Sequence, residues 1–196
     1  MLSTLSLLAA MATISTTFYC SQSAPAETPA TPSASNETPI DGAYLATLGG
    51  CNDCHTPKIM TPMGPELDTT RILSGHPEGA TLPAVTYDAS KPGNFILFDP
   101  GLTAAVGPWG TSYAANLTSD SATGLGSWTF ENFKNAMTKG KHLGLDGERP
   151  ILPPMPWQKI GHWKEADLRS LFAYLKSIPA IKNQVPVPLP PAGPVK

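Results

Sequence analysis

The chain has 196 residues, close to the usual size of one domain and short for two. Thirteen basic against fifteen acidic side chains leave a net charge of −2, which gives nucleic acid no reason to bind. Charged residues make up only 14%, and 22 prolines with 17 glycines fill a fifth of the chain; 41% hydrophobic residues allow a core, but much of the rest must be loop. No apolar run reaches the ~20 residues of a membrane-spanning helix. A nuclear, collagen-like or multi-pass membrane protein is excluded.

Residues 1–23 carry no charged side chain, and Leu5 to Ala12 form a short apolar stretch. This length fits the hydrophobic region of a secretory signal, although no Lys or Arg precedes Lys58. Residues 24–39 are rich in Ala, Pro, Thr and Ser and predict a flexible linker. Cys20 lies between the two, where a lipoprotein carries its lipidated cysteine; Phe18 and Tyr19 are poor neighbours for that role. Lipidation at Cys20 and removal of Cys20 with the signal both stay open, and either places the mature chain in the periplasm or otherwise outside the cytoplasm. The folded domain is expected over 40–182, followed by a proline-rich tail over 183–196 that lies on the surface or projects from it.

The segment from Ile40 to Gly50 predicts a short amphipathic helix capped by Asp41, with Tyr44, Leu45 and Leu48 on one stripe. It leads into Cys51-Asn52-Asp53-Cys54-His55, the CxxCH spacing of covalent haem c attachment. Two cysteines three apart on one helical turn reach two vinyl groups on one haem edge, and the adjacent His55 is carried beneath the iron. A zinc site would need two further ligands for Cys51 and Cys54, and His76, His142 and His162 form no second paired motif. A Cys51–Cys54 disulfide would fit a thioredoxin-like protein, but the expected βαβ pattern is missing.

Residues 56–115 have few periodic runs and many turn residues and read as a long wrapping insertion, with short strands expected at Thr81 to Tyr87 and Asn94 to Phe98. A third helix is expected from Trp128 to Thr138, capped by Ser127 or Thr129 and closed by Gly140. The clearest helix runs from Lys164 to Ser177. Leu168, Leu171, Phe172 and Leu175 fall at i, i+3, i+4 and i+7, and Pro179 stops it.

An early helix entering CxxCH and a terminal helix to cross it resemble a class I cytochrome c. The chain is similar, more closely, to the cytochrome c modules of bacterial membrane-bound alcohol and sugar-acid dehydrogenases and their free-standing relatives. The resemblance rests on Asn116-Leu117-Thr118-Ser119-Asp120, Thr123-Gly124-Leu125-Gly126-Ser127-Trp128, Pro153-Pro154-Met155-Pro156-Trp157 and the terminal helix. It implies an all-α class I cytochrome c fold with a loop-rich insertion after the haem motif. Such subunits often carry three CxxCH motifs; this chain carries one.

A low-spin electron-transfer haem needs a sixth ligand, usually methionine or histidine. Past the CxxCH the methionines are Met60, Met63, Met137 and Met155. Pro153, Pro154 and Pro156 stiffen the loop around Met155, so its sulfur can be held with little entropy left to lose. The resemblance assigns the ligand to the same residue. Met137 fits core packing, a histidine ligand or a vacant sixth position stays open, and Trp109 and Trp157 read as haem-rim or core aromatics.

The chain therefore reads as a monohaem electron carrier, with no catalytic residue, exchanging electrons with a dehydrogenase donor and an oxidase acceptor. Nothing requires more than a monomer. The alternatives are a peroxidase-like or gas-binding haem protein and a cytochrome subunit fixed to a larger complex. Residues 24–133 hold 3 basic and 11 acidic side chains, whereas 134–196 hold 10 and 4. Lys134, Lys139, Lys141, Lys159 and Lys164 flank Met155 in sequence and either form ordinary solvated surface or steer acidic partners.

Overall fold

A computed structural model describes residues 38, 40–82 and 96–191. Cys20, the signal segment and most of the strand expected at Thr81 to Tyr87 lie outside the described residues.

Helix α1 (Gly42–Leu48) starts where the Asp41 side chain accepts a hydrogen bond from Tyr44 N. Helix α2 (Cys51–His55) follows after Gly50, whose φ of 66° turns the chain between the two. The C-terminal helix α5 (Glu165–Ser177) buries Leu168, Leu171 and Leu175 against α1. Each of these leucines contributes about 1.5–3 kcal/mol by burial. α1 meets α5 along its small-residue edge: a Cβ on Gly42 would stand 2.1 Å from the Ser170 carbonyl oxygen. That close crossing buries Leu45 and Ala46 but leaves Tyr44 and Leu48, expected on the inner stripe, 56% and 63% exposed.

Helix α3 (Phe130–Lys139) begins with a capping box in which Thr129 and Asn132 satisfy each other's backbone N–H. Gly140, at φ 64°, ends it. Phe133 stacks on Phe172 of α5 with ring centroids 5.2 Å apart, and the Arg169 guanidinium lies 3.9 Å over Phe130. A short helix α4 (Trp157–Ile160) follows the Met155 loop.

The all-α expectation is wrong, because the insertion folds into sheet. β1 (Lys58–Thr61) and β2 (Gly64–Leu67) form an antiparallel hairpin immediately after the CxxCH helix. β3 (Leu97–Phe98), β4 (Ala104–Gly107) and β5 (Gly110–Tyr113) form a second antiparallel sheet in that order. β3 occupies the end of the expected Asn94–Phe98 strand; Thr81 and Leu82 are not in a strand. Both hairpins close through two-residue connections containing proline, Pro62-Met63 and Pro108-Trp109. Strands of four residues or fewer are too short to show a clear period of two, so the prolines and glycines read as loop.

The tail returns to this sheet. Leu189 and Thr111 exchange backbone hydrogen bonds of 3.0 and 2.9 Å, an antiparallel bridge on β5. Gly110 permits the approach, since a Cβ there would stand 2.0 Å from the Leu189 carbonyl oxygen.

Candidate functional site

The CxxCH turn follows α1 directly and places Cys51 in the hydrophobic core. Cys51 and Cys54 lie three apart on α2 and both carry free thiols, the first buried in the core and the second half-buried. Burial pushes the Cys51 thiol up to about 11 and raises Cys54 as well. His55 is 9% exposed, and burial holds its ring below the ordinary imidazole range, so it is neutral at pH 7. Its Nδ1 lies 2.7 Å from the Ala115 carbonyl oxygen, an acceptor, so Nδ1 carries the proton and donates. The lone pair is then on Nε2, which has no hydrogen-bond partner among the described residues. A metal-bound histidine has this arrangement, its far nitrogen oriented by a carbonyl.

The backbone around His55 is fixed as closely as the ring. Gly75 N donates to the His55 carbonyl at 2.7 Å, and His76 N donates to the Ala114 carbonyl at 2.9 Å. Leu117 N donates to the Leu73 carbonyl at 2.8 Å, so residues 73–76 form a strap between α2 and the chain after β5. Gly75 has φ 82°, and a Cβ there would stand 2.6 Å from Ala114 O and Ala115 C. Lys58 Nζ donates to the Asn52, Asp53 and Thr56 carbonyls at 3.2, 3.0 and 2.5 Å, a cation closing the C-terminal end of α2. Sequence reasoning missed Ala115, Gly75 and Lys58. Only Lys58 had a signal, a lysine three residues after a helix end.

Met155 is half-buried and packs against the core. Its loop is anchored where Ser112 Oγ donates to the Pro153 carbonyl at 2.6 Å and Ile151 N donates to the Gly140 carbonyl at 2.7 Å. The chain from Ser112 to Ala115 thus ties the Met155 loop to the same short segment that orients His55. Trp157 packs its ring against Gly140, and Trp109 covers Gly107 while donating to Ser112 Oγ at 3.2 Å.

The other candidates are placed differently. Met60 and Met63 are exposed on the first hairpin. His76 is buried on the strap, with Nδ1 2.8 Å from Thr103 Oγ1 and its ring beside Tyr113. His142 faces Glu148, and His162 is exposed. Met137 is half-buried against the core from α3. Met137→Ala should cost about 2 kcal/mol, the low end for a methionine deletion, as read by urea unfolding, and leave the visible spectrum unchanged.

The residues fit a covalently attached haem: two thiols one turn apart and a neutral, oriented imidazole with a free nitrogen. Among the described residues no group of three or more His, Cys, Asp and Glu side chains could hold a metal ion. Of the lysines near the Met155 loop, Lys134 is paired with Glu165 and Lys141 with Asp146. These pairs reduce the positive charge the set presents.

No family model matches the chain. Its sequence is 32% identical over 149 residues to the cytochrome c subunit of alcohol dehydrogenase (quinone) of Gluconobacter oxydans, covering 74% of this chain and 23% of that protein. It is 26% identical over 133 residues to the gluconate 2-dehydrogenase cytochrome c subunit of Pantoea cypripedii, covering 68% and 21%. Over 111 residues it is 29% identical to the fructose dehydrogenase cytochrome subunit of Gluconobacter japonicus, covering 54% and 22%. The chain spans less than a quarter of the length of these relatives.

Proposed function

We infer that this chain, a homologue of the cytochrome c subunits of dehydrogenases, is a monohaem electron carrier that works outside the cytoplasm. The observation that carries this reading is the α2 turn, with two free thiols and His55 oriented by the Ala115 carbonyl.

Cys51 and Cys54 would hold the haem covalently as thioethers, each S–H bond adding across one of its two vinyl groups. His55 Nε2 and Met155 Sδ would ligate its iron. When bound, the haem supplies a one-electron Fe(III)/Fe(II) couple. The neutral imidazole needs no proton release to donate its lone pair, and Ala115 and the strap hold the ring in one orientation. The thioether of Met155, a soft donor, favours Fe(II) and raises the potential, and it closes the site to outside ligands. With both His55 and Met155 bound to it, the iron would need no acid or base for outer-sphere transfer, so the chain would be a carrier rather than an enzyme. A dehydrogenase as donor and an oxidase as acceptor fit such a carrier, free as a monomer or docked as a subunit. Cys20, if lipidated, would tether it to a membrane.

The test is the spectrum of the reduced protein with and without carbon monoxide. A six-coordinate carrier shows no change on adding the gas. Prompt carbon monoxide binding by the unmodified protein would favour the gas-binding or peroxidase-like alternative.

A further inference from the structure

The C-terminal tail does more than cover the sheet. Asn183, 8% exposed and six residues beyond α5, hydrogen-bonds through both ends of its side-chain amide. Its Nδ2 donates to the Ser74 carbonyl at 2.6 Å and to the His76 carbonyl at 2.9 Å. Its Oδ1 accepts from Glu78 N at 2.7 Å, and its backbone N–H donates to Thr123 Oγ1 at 3.0 Å. The two carbonyls it holds flank Gly75, whose N–H is bonded to His55's own carbonyl. The other face of the same assembly is held by Asn116, next to Ala115. Asn116 Nδ2 donates to Ile181 O at 2.8 Å and to Thr123 Oγ1 at 3.1 Å. The tail residues Ile181 and Asn183 therefore join both pieces of backbone that grip His55, the strap and the Ala115 segment.

We propose that Asn183 is a positioning residue for His55: by fixing the strap, it sets the Nδ1–H to Ala115 hydrogen bond and so the donor strength of the imidazole. This rests on the reading of His55 as an iron ligand. A firm hydrogen bond from Nδ1–H to a carbonyl makes the ring a stronger donor and stabilises Fe(III). Loss of Asn183 leaves the Ser74 and His76 carbonyls without their partner and releases the strap. The His55 hydrogen bond then weakens and the equilibrium moves toward Fe(II).

The experiment uses the full-length protein as Asn183→Leu, which keeps the volume without hydrogen bonds, and Asn183→Ser, which keeps one donor. Ser119→Ala is the control. It removes another tether of the same tail, the 2.6 Å bond from Ser119 Oγ to the Ile178 carbonyl, away from the strap. Two properties are read, amide hydrogen exchange at Gly75 and His76, and the midpoint potential. In Asn183→Leu, exchange at both amides should quicken about tenfold and the potential should rise, with a smaller effect of the same sign in Asn183→Ser. Ser119→Ala should leave both near the unmodified values. If Asn183→Leu does not accumulate, Asn183→Ser against Ser119→Ala decides the matter. The proposal is overturned if the Asn183 variants lose stability with both readouts unchanged, or if Ser119→Ala shifts both equally. Faster exchange with an unchanged potential also overturns it, since the strap would then be structural only. An unmodified protein that carries no haem would refute the reading of His55 itself, an outcome distinct from any change in exchange at the strap.

Discussion

Met155→Ala should leave the haem attached and open its sixth coordination position. Cys51 and Cys54 on α2 would hold the group by themselves, whereas the Met155 loop is anchored to Ser112 and Gly140. The oxidised variant should lose the weak near-infrared band of iron–methionine ligation and bind carbon monoxide when reduced. Its potential should fall, because a soft ligand favouring Fe(II) has gone. The Pro153 and Ile151 anchors remain, so the loop stays in place and the effect is confined to the missing sulfur. An unchanged spectrum would show that Met155 is not the ligand. His142 would then be next: it is half-buried near the same loop, with only a 3.4 Å contact to Glu148.

Gly42→Ala should be a strongly damaging single-methyl change in the helical core. At an exposed helical position this substitution stabilises by about 1 kcal/mol. Here the added Cβ would stand 2.1 Å from Ser170 O and 2.6 Å from Tyr174 Cβ. Backbone cannot rotate away as a side-chain tip can, so α1 and α5 must separate and uncover Leu45, Leu168 and Leu171. A loss of about 3 kcal/mol, the upper end for overpacking, should appear as a lower urea midpoint of the holoprotein. An unchanged or higher midpoint would mean that the α1–α5 crossing is looser than described.

Helices α1, α3 and α5 and the CxxCH turn were legible because their signals are local. Asp41, Thr129 and Gly140 mark helix ends, and Leu168, Leu171 and Leu175 repeat with helical spacing. The CxxCH motif lies within one turn, so its chemistry needs no tertiary information. Apart from β3, which lies at the end of an expected strand, the strands were not legible, because each has only four residues and proline and glycine fill the connections. The inner stripe of α1 was misread because the small residues Gly42 and Ala46, rather than Tyr44 and Leu48, face α5. The grip on His55 left little trace in sequence. It uses a carbonyl at Ala115, sixty residues away, and an asparagine in a proline-rich tail. A backbone group has no side-chain signature, and a lone asparagine there reads as one more loop residue.

The central claim is that a single haem is bound covalently through Cys51 and Cys54. It is tested by the intact mass of the purified protein after denaturation in acidic organic solvent. The polypeptide mass plus one haem is expected, with the haem retained in the unmodified protein and in Met155→Ala but lost when Cys51 and Cys54 are both replaced by serine. The polypeptide mass alone, or haem extracted by the solvent, would contradict the account.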